Sequence, residues 1–88
     1  LHFAAEKGSE HICKALLEAG AEIDAQNDIG ETALVIAAME GYNDLVKLLV
    51  ENGANVNIVD SSENSPLFYA SEKGYTEIVE ILLHAGAN

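Results

Sequence analysis

Four side chains in this 88-residue chain carry the nitrogen or sulfur donors used in metal binding and nucleophilic catalysis: His2, His11, Cys13 and His84. Their spacing argues against both. His11 and Cys13 are two apart, so on a helix they point to different sides, whereas a structural zinc site needs four converging donors. Serine and aspartate are present, but nothing has the pattern of a nucleophile elbow, a phosphate-binding loop or a paired acid and base. The glycines recur at a long, regular interval rather than clustering, so they read as helix stops. No catalytic, cofactor-binding or metal-ligating residue is assigned, and the chain is not expected to be an enzyme. It is the lack of a site, not a fold class, that leads there.

Charge narrows the partners. Fifteen acidic residues stand against four lysines, with no arginine, for a net charge of −11. Such a field repels nucleic acid and anionic membranes and favours a protein partner with a basic surface. It also keeps a small domain soluble. The single cysteine, Cys13, cannot form an internal disulfide, which favours a reducing, intracellular and cytoplasmic setting. No apolar run approaches the ~20 residues of a membrane helix, and no signal peptide is visible.

The elements that position these residues repeat. Leu1, Leu34 and Leu67 are spaced by 33 residues, as are Ala4, Ala37 and Ala70, and Gly8, Gly41 and Gly74. Leu16, Leu49, Leu82 and Gly20, Gly53, Gly86 keep the same register without insertion. Cys13 shares its column with Val46 and Val79, which makes it a core position. His84 shares a column with Glu18 and Glu51, which makes it solvent-facing. A fixed period of this length means stacked supersecondary units. The unit boundaries are read as 1–26, 27–59 and 60–88, within one domain spanning 1–88.

Each unit reads as two helices and a projecting turn. Thr32 precedes an apolar run and is suited to N-cap a first helix; Ser65-Pro66 does this one unit later, with Pro66 at the first helical position. That helix is predicted to run to about Glu40, where Gly41 supplies a left-handed cap. Asn43 and Thr76 are expected to N-cap the second helices. Leu45, Val46, Leu48 and Leu49 form an apolar stripe at helical spacing, and Gly53 closes it. The stretch "ANVNIVDSSEN" is rich in turn formers. Neither broad side of such a helix pair is stable until a neighbour covers it.

The phrases "NDIGETALVIAAMEGY…LLVENGANVN", "DSSENSPLFYASEKGY…LLHAGAN" and "LHFAAEKG…LLEAGAEID" resemble the ankyrin repeat over the whole chain. The resemblance implies an all-α, ankyrin-type helix-turn-helix solenoid with short projecting β-turns or hairpins. It implies a protein-protein interaction module that uses those turns and the concave first-helix side. In the family a histidine after the T-P-L element ties neighbouring units through backbone hydrogen bonds. Only His2 keeps it, Val35 and Phe68 standing in the other copies, so weaker ties are expected there. Glu63 replaces the turn glycine represented by Gly30, so the third turn is expected to be distorted or mobile. Some family members are substrates for asparagine hydroxylation at the position of Asn57, although Asn55 replaces the acid favoured nearby.

The surface expected to bind a partner comprises Glu6 and Lys7, then Asp28, Ile29, Glu31, Met39, Glu40 and Tyr42, then Ser61, Ser62, Glu72, Lys73 and Tyr75. Two readings stand for Tyr42 and Tyr75: contact residues, or rings packed between helices in the slot of the family's histidine. Ile29 and Val59 either meet a partner or pack beneath the turns. Acids on the second helices, such as Glu77 and Glu80, read as a solvated face. The chain opens without methionine and closes on an ordinary interior helix. It is therefore expected to be an excerpt of a longer array, or to associate end to end. The alternative functions are a structural spacer within such an array, or the targeting arm of a larger protein.

Overall fold

The structure, a computed structural model, describes residues 1–87. Its helices are α1 (His2–Glu6), α2 (Glu10–Glu18), α3 (Ala33–Glu40), α4 (Asn43–Glu51), α5 (Pro66–Lys73) and α6 (Thr76–His84), with no strand among the described residues. The first helices α1, α3 and α5 pack in one row and the second helices α2, α4 and α6 in another. Each first helix also packs on its own second helix. This is a helix-turn-helix solenoid.

Local chemistry sets the helix ends. Thr32 Oγ1 accepts the Val35 N–H at 3.1 Å and Ser65 Oγ accepts the Phe68 N–H at 3.1 Å. Each satisfies a donor that the first helical turn leaves orphaned. Pro66 occupies the first helical position. Gly41 caps α3 at φ 80°. The second helices start differently from the expectation. Asn43 and Thr76 are already helical, and the N-cap positions belong to Tyr42 and Tyr75, neither of which makes a side-chain cap bond. A phenol hydroxyl lies too far from its own backbone to bond there. Only Ser9, in the same column, caps with its side chain, accepting the Ile12 N–H at 3.3 Å.

Most of the predicted core is buried, while Leu16, Leu48 and Val79 are half-buried. Leu45, Val46 and Leu49 on α4, Ile78 and Leu82 on α6, and Cys13 on α2 are fully buried. Ala5, Ala37, Ala38 and Ala70 are buried without gap, and their small side chains let the first helices approach closely. Burial pushes the Cys13 thiol up from its ordinary value.

The tyrosines join successive pairs. The Tyr42 ring lies against Gly8, where a Cβ would stand 2.9 Å from Tyr42 Cζ, and Tyr75 lies against Gly41 in the same way at 2.8 Å. Tyr42 Oη also donates to the Glu6 carbonyl at 3.2 Å.

The third turn is not distorted. Glu63 takes φ 64°, the left-handed conformation a side chain adopts only at a cost. The bond from the Glu63 N–H to the Asp60 carbonyl at 2.9 Å matches that from the Gly30 N–H to Asn27 at 2.9 Å. The closing bond from the Asp60 N–H to Asn64 repeats that from Asn27 to Glu31, both at 3.0 Å. In both turns a side-chain oxygen at the first position organises the loop. Asn27 Oδ1 accepts from the Ile29 and Glu31 N–H groups at 3.1 and 2.8 Å. Asp60 Oδ1 accepts from Ser62 and Asn64 at 2.9 and 3.0 Å.

Candidate functional site

The turns come together first. The Ser61 N–H donates to the Ile29 carbonyl at 3.0 Å. Gln26 Nε2 bridges the Gly30 and Val59 carbonyls at 2.9 and 3.1 Å. Gly30 is required at this junction, because a Cβ there would lie 2.7 Å from Ser61 N. The tips carry Asp28, Ile29, Ser61 and Ser62, all exposed, with Ile29 59 % exposed. Val59 also faces solvent, so neither apolar residue is tucked beneath its turn.

The turns are anchored to the helices by polar side chains. His2 Nε2 lies 2.8 Å from both the Ala25 and Glu31 carbonyl oxygens. Both are acceptors, so this nitrogen carries the proton and shares it. In the third turn a different device does this work. Tyr69 Oη donates to Asp60 Oδ2 and accepts from Asn64 Nδ2 at 3.3 Å. Asp60 is buried, which raises its carboxyl pKa. The bonds from Tyr69 and from the Asn64 and Ser62 N–H groups more than offset this, and hold it below the ordinary value. The bond to Asp60 raises the Tyr69 hydroxyl in turn. This cluster was not anticipated, although Asp60 and Tyr69 share columns with Asn27 and Ile36, where the change to a carboxylate and a phenol is its only trace.

Between α1 and α3, on the first-helix side, the surface opens into a groove of about 360 Å³. Glu6, Lys7, Glu31, Met39 and Glu40 line it, together with Phe3 and Ile36. Five of the thirteen expected contact residues thus lie along one groove, and Met39 is half-buried in its wall. Phe3 and Ile36 were not singled out from the sequence. The available signal was that they share a first-helix column with Tyr69, one position before the core alanines. Glu72 and Lys73 are exposed at the end of α5 and do not line this groove. Tyr42 and Tyr75 are half-buried in their inter-unit positions. A wider hollow of about 600 Å³ lies on the second-helix side, over Val50, Ile81 and Ala85, with Lys47, Glu77, Glu80 and His84 around it. Its apolar floor was not foreseen in a face read as merely solvated.

Among the described residues no group of three or more His, Cys, Asp or Glu is arranged to hold a metal ion. No helix among the described residues is long and apolar enough to cross a membrane. Asn57 is exposed, and its Nδ2 donates to the Gly86 carbonyl at 3.4 Å.

The search among curated proteins found no matching relative. A family model for ankyrin repeats in three copies matches residues 1–88. With the paired rows of helices, the turns tied tip to tip and the tyrosine-on-glycine contacts between units, the match settles the family: this chain belongs to the ankyrin repeats, which are generally protein-protein interaction modules.

Proposed function

We propose that this chain binds a partner protein through its projecting turns and the concave first-helix surface, and that the partner presents a basic face. The α1/α3 groove carries this reading: an apolar floor of Ile36 and Met39 sits beside the carboxylates of Glu6, Glu31 and Glu40. Four of its seven lining side chains are charged, three of them acidic, which complements a cationic partner. Exposed Ile29 at the adjoining turn extends it. The net charge of −11 steers a cationic partner toward the chain. This is a binding surface and not an active site. A random peptide library displayed on phage and selected against the intact chain tests it. Selected peptides are expected to be rich in Lys and Arg and to lose at least about tenfold in affinity on Met39→Ala or Glu40→Lys, tighter binding giving way as salt screens the charges. Unchanged affinity in both variants would refute the choice of surface.

A second reading is that these units serve mainly to stack, on further repeats or end to end on one another. Phe68 and Leu83 at one end and Ile12 at the other are exposed, and Gly74 carries no ring while Gly8 and Gly41 do. Sedimentation showing a monomer up to high concentration would remove self-association. Replacing the concave residues by alanine, with no loss of the parent protein's function, would favour the spacer.

A further inference from the structure

The concave groove already holds a cation against its aromatic wall. Lys7 Nζ stands 5.5 Å from the centre of the Phe3 ring, and that ring is 71 % exposed. Cations are drawn to such faces by the ring quadrupole. Glu31 is held in place, its Oε1 accepting from Asn27 Nδ2 at 3.0 Å and its N–H donating to Asn27 Oδ1 at 2.8 Å. The groove sets the carboxylates of Glu6, Glu31 and Glu40 against the single ammonium of Lys7, so it can take more positive charge. The next pair of first helices does not reproduce this chemistry. There Ile36 stands for Phe3, Asn64 for Glu31, Met39 for Glu6 and Lys73 for Glu40.

We propose, resting on the protein-binding reading above, that this groove takes an arginine side chain of the partner. Its guanidinium lies on Phe3 in place of Lys7 and turns its N–H fork toward Glu31 and Glu40, while an adjoining apolar side chain rests on Met39. Arginine fits better than lysine because its planar group stacks on an aromatic face, is weakly hydrated and pairs with carboxylates through two parallel bonds. These 88 residues contain no arginine, so a second copy of them does not supply it. Lys7 is then a placeholder that competes with the arriving arginine for the ring.

The test is an amide NMR titration of the intact chain with N-acetyl-arginine amide, run in parallel with the lysine and leucine analogues. The arginine probe is expected to shift the amides of Phe3, Glu31, Met39 and Glu40 saturably and more strongly than either analogue. Lys7→Ala should tighten it about two- to fivefold and Phe3→Leu should weaken it by a similar factor, the range an exposed cation–π contact supplies. Both side chains are exposed, and circular dichroism checks that both variants keep the fold. Equal shifts at the outer acids Glu77 and Glu80, an equal response to the leucine analogue, or no effect of either substitution would overturn the proposal. The two readings fail separately. If Met39→Ala abolishes binding of the selected peptides while Phe3→Leu and Lys7→Ala do not alter it, the binding surface stands and the arginine site falls. If none of the three matters, both fall.

Discussion

Glu63 shows how one residue can depart from a repeat without altering its shape. Its φ of 64° costs a side-chain-bearing residue roughly 1–2 kcal/mol, where glycine would be nearly free. The turn's hydrogen bonds nevertheless match those of the glycine-containing copy. The strain is absorbed because Asp60 holds both ends of the loop and is itself held by Tyr69. Glu63→Gly is therefore expected to stabilise the chain by about 0.5–1 kcal/mol, net of the greater freedom glycine gains when unfolded. A shifted urea midpoint at constant slope would register it, and a loss of stability would show that the Glu63 conformation is not strained.

At the scale of the element, the second and third turns solve one problem with exchanged chemistry. In the second, an amide at Asn27 faces the carboxylate of Glu31; in the third, the carboxylate of Asp60 comes first and Asn64 follows. The third turn is thereby made sensitive to acid through a buried carboxylate. The Asp60 carboxyl is lowered in the folded state, so its contribution is complete above the unfolded value of about 3.9 and fades as pH falls through the folded value. Asp60→Asn should cost about 1 kcal/mol near neutrality. The gap between parent and variant in denaturant midpoint should close as pH falls through the folded value of Asp60, below which both side chains are neutral. A gap that stayed constant from pH 7 to pH 2 would mean that the carboxylate charge contributes nothing. Tyr42 and Tyr75 act at the same scale, as the contacts by which each unit covers the preceding unit's glycine.

Across the whole molecule, stability is shared between neighbours, because no unit buries its own faces. Leu49 on α4 is fully buried in the central unit, whereas Ile12 on α2 is 53 % exposed although its columnmates Leu45 and Ile78 are fully buried. Identical positions in the repeat thus carry unequal weight. Leu49→Ala is expected to cost about 2–5 kcal/mol, enough to unfold much of a domain this small, while Ile12→Ala should cost well under 1 kcal/mol. Helical signal followed through urea denaturation separates the two. Equal losses would mean that side-chain burial does not set the cost at these two positions.

The repeat period, the helix pairs, the caps at Thr32 and Ser65 and the buried leucine columns were all legible in the residue string. They depend on spacing along a helix and on backbone geometry within a few residues, and both are local. The first-helix side was legible as a set of columns, which is why Glu6, Lys7, Glu31, Met39 and Glu40 were named before they were seen to line one groove. Its aromatic wall at Phe3 was not, and neither were the Asp60–Tyr69 bond and the seating of Tyr42 on Gly8. Each of these depends on how far one helix pair is displaced and turned against the next. That displacement is set by the summed packing of alanines, leucines and turns across the interface, a quantity that no single column of the repeat contains.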